Sequence, residues 1–177
     1  MQNYRDNIKE GIGFYFYENG NIHKMERYFN GLKNGKYVEY YEQDSGKIKF
    51  IVDYKLIRGR TYDNGYVKLS QRGDTVSSSP LIDMDKMDET GIVVTLRNPV
   101  FKGMKIIIGD FDRQFYLIDS SKVDTFVANG NFKIFVPKLS LRDSITRGFV
   151  ENFKVEERKK NGNYTILSRD IYFEIKK

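Results

Sequence analysis

Aromatic and aliphatic residues come in short runs along this chain, broken at regular intervals by glycine, asparagine and aspartate. Phe14-Tyr15-Phe16-Tyr17 leads into Glu18-Asn19-Gly20 and then a second run over 22–28. An Asn-Gly pair between two such runs predicts a β-hairpin, because both residues tolerate positive φ. The pattern returns at 37–41, turns through Asp44-Ser45-Gly46, and runs on over 48–54. Aligning the two predicts stacking of Phe14 with Val38, Phe16 with Tyr40, Ile22 with Ile48 and Met25 with Ile51. A third, shorter unit follows with Gly59, Tyr62-Asp63-Asn64-Gly65 and Val67, as expected where an array is capped. Gly11, Gly35 and Gly59 are 24 residues apart, and a fixed period implies stacked units that bury their faces against one another.

Beyond residue 90 the runs continue without the period. Strands are predicted over 92–96, 104–108, 114–118, 124–127, 132–136, 146–155 and 164–175. The expected turns are Asn98-Pro99, Asp110/Asp112, Asn129-Gly130, Pro137 and Asn161-Gly162. Ile171, Phe173 and Ile175 alternate with Asp170, Tyr172 and Glu174, which assigns the first three to a buried face. Seven short strands in this span predict an immunoglobulin-like β-sandwich, and a small barrel is the other arrangement that count allows. Residues 73–90 are rich in serine and acid, which predicts a linker. The expected organisation is therefore all-β: β-hairpin repeats over 1–72, an acidic linker over 73–90, and a sandwich over 91–177.

The strings YFYENGNI, ERYFNGLKNGKYVEYYEQDSGKI and TYDNGYV resemble the MORN-repeat family, more specifically its bacterial, antitoxin-like variant. The resemblance covers about residues 4–70. The chain departs from the pattern in lacking Trp, in its longer second turn and in its short third unit. What the resemblance implies is a hairpin array with no catalytic residues, acting in protein interaction, scaffolding or, in some members, lipid contact.

Composition supports strands: aromatics make up 15% of the 177 residues, and Ala128 is the single alanine. The absence of Cys excludes disulfides and thiolate chemistry. The segment MQNYRDNIKEG has no apolar core, so no signal peptide is expected, and no run approaches the ~20 apolar residues of a membrane span. The chain reads as soluble, with its compartment unassigned. Net charge is +6, with residues 73–90 carrying five acidic side chains and one basic. This mild positive field steers anions only weakly.

The search for chemistry gives little. His23, the one histidine, aligns with Lys49 and is expected on the outward face of a strand, without the partner that a general base needs. Ser77, Ser78 and Ser79 lack a nucleophile elbow. Asp110 and Asp112 read as turn residues, and the spacing of Asp83, Asp85 and Asp88 fails the calcium-loop pattern. No enzyme activity, metal or cofactor is expected. The residues chosen as a binding site are Tyr15, Tyr17 and Tyr41, expected together on one exposed face opposite Phe14, Phe16, Val38 and Tyr40. Tyrosine brings rigid contact area with one polar handle, which suits another protein as partner. The array edge offers a second docking mode, by strand addition. The basic tip Arg158-Lys159-Lys160 gives an alternative, attachment to an anionic lipid or polysaccharide surface; nucleic acid is not expected.

Overall fold

The structure, a computed structural model, describes residues 1–44, 46–85, 87–129, 132–141, 144–157 and 164–176, with the side chains of all but 129, 156, 157, 164, 165 and 167. The chain is all-β and divides into two compact units, Met1–Ser79 and Pro80–Lys177.

The first unit begins with a small hairpin, β1 (Tyr4–Arg5) and β2 (Ile8–Lys9). Then come β3 (Gly11–Phe16), β4 (Ile22–Phe29), β5 (Leu32–Lys33), β6 (Gly35–Tyr40), β7 (Ile48–Ile57), β8 (Arg60–Leu69) and β9 (Thr75–Ser78). They form one antiparallel sheet in the order β3-β4-β6-β7-β8-β9, with β5 paired to β4.

Two kinds of reversal build this sheet. Asp6-Asn7, Asn30-Gly31 and Arg58-Gly59 are two-residue turns in which both residues have positive φ, the geometry of a type I′ turn. The wider tips 17–21, 41–47 and 70–74 open with the same bond: Tyr17 N–H to Asn21 O, Tyr41 N–H to Lys47 O, and Ser70 N–H to Asp74 O.

Two sequence expectations change here. Gly59 is the counterpart of Gly31 inside a type I′ turn, whereas Gly11 and Gly35 each pair across strands with a tyrosine, Tyr28 and Tyr54. The third hairpin is also longer than expected, because Thr75–Ser78 forms its second strand. An edge strand needs only backbone pairing, so a polar sequence such as Thr-Val-Ser-Ser serves, and the stretch expected as a linker is partly strand.

Register aligns Phe14, Met25, Val38, Ile51 and Val67 in one row across five strands, which holds two of the four expected pairs, Phe14 with Val38 and Met25 with Ile51. Beyond a register shift after Tyr15, Phe16 is 53% exposed rather than packed. The opposite face buries Glu26, Tyr28 and Val52, so both faces of the sheet carry buried side chains.

The second unit contains β10 (Leu81–Met84), β11 (Gly91–Arg97), β12 (Gly103–Phe111), β13 (Leu117–Asn129), β14 (Lys133–Pro137), a 3-10 turn (Lys138–Ser140), β15 (Ile145–Glu157) and β16 (Tyr164–Lys176). They make two antiparallel sheets, β10-β11-β14 and β13-β12-β15-β16. One core joins them, drawn from alternate residues: Ile92, Val94 and Leu96 on β11, Met104, Ile106 and Ile108 on β12, and Ile171, Phe173 and Ile175 on β16. Each such side chain contributes about 1.5–3 kcal/mol by burial.

Residues 124–127 belong to the long β13, and 114–116, expected as strand, form a turn. Asp112 Oδ1 accepts the backbone N–H groups of Gln114 and Tyr116, and Phe115 takes φ +60°. Leu81–Met84, also within the stretch expected as a linker, is the edge strand β10.

Candidate binding site

Tyr17 and Tyr41 occupy the first position of successive wide tips, and a hydrogen bond fixes each. Tyr17 Oη donates to Tyr40 O on the next hairpin at 2.8 Å, and Tyr41 Oη donates to Leu69 O on the one after, also at 2.8 Å. The third tip has Ser70 at that position, and its Oγ accepts the N–H groups of Arg72 and Asp74 within its own turn. Asn19 and Asn21 donate from Nδ2 to Glu42 O, which ties the first tip to the second. The tips are therefore joined in a row by side-chain to backbone bonds.

Between them lies an open cleft of about 490 Å³, lined by Tyr17, His23, Glu39, Tyr41, Glu42, Gln43, Lys49 and Gln71. His23 is half-buried and lies against Tyr17, with ring centroids 4.4 Å apart. The sequence expectation for this residue is an outward face without a partner; its alignment with Lys49 is the pattern that marks both as cleft residues, each the extra residue at a register shift. Glu39 accepts hydrogen bonds from Lys49 at 2.6 Å and from Tyr37 at 3.2 Å. Burial by itself would raise the Glu39 pKa, but the hydrogen bond and charge of Lys49, with Tyr37 and His23, hold it below the ordinary carboxylate value. Lys49 is raised in turn, mainly by its bond to Glu39.

The three tyrosines expected on one exposed face are thus separated. Tyr15 is half-buried away from the cleft, with Lys24 Nζ 4.4 Å from its ring centre and its hydroxyl 3.4 Å from Gln2 Oε1. The hydroxyls of Tyr17 and Tyr41, expected as polar handles for a partner, are spent inside the sheet because stacked hairpins must satisfy the carbonyls at their seams. What these two residues offer outward is ring surface. Arg158, Lys159 and Lys160 lie outside the described residues.

A charged cluster sits on the buried side of the first hairpin. Glu26 is 2% exposed and bonds Lys33 at 2.8 Å, Tyr28 Oη at 2.7 Å and Lys24 at 3.5 Å. Burial pushes its carboxyl up, and the hydrogen bonds and charges of Lys33, Tyr28 and Lys24 outweigh this to hold it at about 2. Burial and the adjacent Glu26 push the Tyr28 phenol up.

In the second unit, a cleft of about 400 Å³ is lined by residues 109–113, Ile118, Ser144, Ile145 and Arg147. Of its charged residues, Arg147 donates to Glu174 and to Phe111 O, Asp110 is 3.5 Å from Lys122, and Asp112 caps its own turn. Asp110 itself is in β12 rather than in the turn. Compared with protein-family models, curated proteins and solved structures, the chain finds no match.

Proposed function

We propose that this protein is a non-catalytic binding module that holds another protein at the tip cleft of its hairpin sheet. The observation that carries this reading is the pinning of Tyr17 and Tyr41 by bonds to Tyr40 O and Leu69 O. Rings held in place lose little freedom when a partner covers them, so the contact area they present favours association. The polar residues around them suit the rim of a protein interface.

The electrostatics of the cleft also favour binding over catalysis. An acid catalyst needs a raised pKa, and Glu39 is held low by Lys49. The alternative, attachment to an anionic surface, draws support only from the net charge of +6. The hairpin geometry of the first unit supports the MORN-like reading, and the three-stranded and four-stranded sheets of the second support the immunoglobulin-like one.

The test is capture of a partner by the full chain at about 0.15 M and about 0.5 M salt, the range over which surface charges become screened. The expected result is one protein retained at both salts and lost in the Tyr17→Leu/Tyr41→Leu double variant, with strand content checked by circular dichroism. Capture only of anionic lipid or polysaccharide, abolished by high salt, would overturn the proposal.

A further inference from the structure

Several tyrosine rings of the sheet carry a cation. Lys24 lies over Tyr15 at 4.4 Å, Lys9 over Tyr28 at 4.8 Å, and Lys33 over both Tyr37 and Tyr54 at 5.2 and 5.5 Å. Tyr17 has the His23 ring. Among the described residues no cation or second ring lies over Tyr41, although its hydroxyl is fixed and it lines an open cleft.

The charge of the cleft points the same way. Its acids are Glu39 and Glu42, and its one full cation is Lys49. Lys49 is committed to Glu39 at 2.6 Å. Glu42 is exposed, and among the described residues its carboxylate has no ion pair. The cleft therefore holds one uncompensated negative charge on a chain whose net charge is +6. Gln43 and Gln71 also line the cleft, and their amide oxygens can accept.

We infer that the cleft takes an arginine side chain of the partner, its guanidinium laid on the Tyr41 ring and paired with Glu42. A planar guanidinium stacks on an aromatic face and donates from its edge at once, which this combination of ring, carboxylate and amides matches better than a compact ammonium. A phosphate or other anion would have to displace the Glu39 carboxylate from Lys49. The inference rests on the protein-binding reading and supplies its recognition chemistry.

Titration of the full chain, followed by amide NMR, tests it with three probes: N-acetyl-arginine amide, N-acetyl-glutamine amide and methyl β-glucoside. The expected result is saturable shifts at Tyr41, Glu42 and Gln71 with the arginine probe alone. About tenfold weaker binding is expected in Tyr41→Leu, and a severalfold loss in Glu42→Gln. Because Glu42 is exposed, that variant keeps the test decisive even if Tyr41→Leu unfolds. A matching response to the glutamine probe, a response to the glycoside alone, or none at all, overturns the inference. A partner lost on replacing both tyrosines but indifferent to Glu42→Gln and to added arginine probe leaves the protein-binding reading standing without it. Arginine binding by the chain, with a partner that still holds the tyrosine variants, sinks the reading of Tyr17 and Tyr41 as the partner contact instead.

Discussion

Glu26 occupies in the first hairpin the position that Val52 occupies in the second: Gly13 faces Glu26 across strands just as Tyr37 faces Val52. Both are buried. A carboxylate there needs Lys33, Lys24 and the Tyr28 hydroxyl, where the valine needs only packing. Because the folded-state pKa of about 2 lies below the ordinary 4.5, ionised Glu26 stabilises the fold above pH ~4.5. That contribution, at most about 3 kcal/mol, disappears as pH falls through the window between 4.5 and 2. Urea unfolding should show Glu26→Gln less stable by about 1–3 kcal/mol at pH 7, with a smaller further loss than the parent chain down to pH ~2.5. Parallel pH curves for the two proteins would contradict the assignment.

The bonds from Tyr17 to Tyr40 O and from Tyr41 to Leu69 O couple neighbouring hairpins through single hydroxyls. Tyr17→Phe and Tyr41→Phe keep the rings and remove only these donors, leaving half-buried carbonyls to find water. Each should cost about 1 kcal/mol, seen as a melting temperature lower by a few degrees. Hydrogen exchange should quicken at the tips of the two hairpins joined by the bond that is lost. No change in either measurement would mean that packing alone holds the seam.

Asn152 is fully buried and satisfies four backbone groups. Its Oδ1 accepts from Val100 N and Phe101 N, and its Nδ2 donates to Phe101 O and Gly103 O, all within 2.9 Å. It fixes the loop that delivers the chain into β12. Asn152→Ala leaves those groups without partners in the core, and a loss of about 3 kcal/mol or more is expected in chemical denaturation. Measured losses below about 1 kcal/mol would show that water replaces the side chain.

Local pattern carried much of this fold, and its limits are equally local. Asn19-Gly20 and the alternating runs gave the first two hairpins, because turn chemistry and pleat act within a few residues. Arg58-Gly59 was hidden, since arginine does not announce positive φ, and so Gly59 was put in register with Gly11 rather than with Gly31. The polar strand Thr75–Ser78 was invisible for a different reason: it pairs through backbone at an edge and needs no apolar side chain. The cleft was half legible. Alternation placed tyrosines on an exposed face, but it is blind to register shifts such as those at Tyr15/Phe16 and Glu39/Tyr40, where His23 and Lys49 are the extra residues on the facing strands and His23 comes to lie beside Tyr17.

Phe115 sets two effects against each other. It is 3% exposed, with Phe111 and Tyr172 rings at 6.4 and 5.0 Å, yet its φ of +60° is a conformation a bulky residue adopts only under tertiary compulsion. Truncation removes aromatic packing worth about 3–5 kcal/mol, which exceeds the roughly 1–2 kcal/mol of left-handed strain, so every truncation should destabilise. The strain decides the order among them. At an ordinary strand position Phe→Gly is worse than Phe→Ala by about 0.5–1 kcal/mol. Here Phe115→Gly relieves the backbone while Phe115→Ala does not, so the glycine variant should be the more stable by about 1 kcal/mol. Denaturant unfolding of the two variants side by side reads this directly: alanine above glycine would mean that the turn relaxes out of positive φ once the ring is gone.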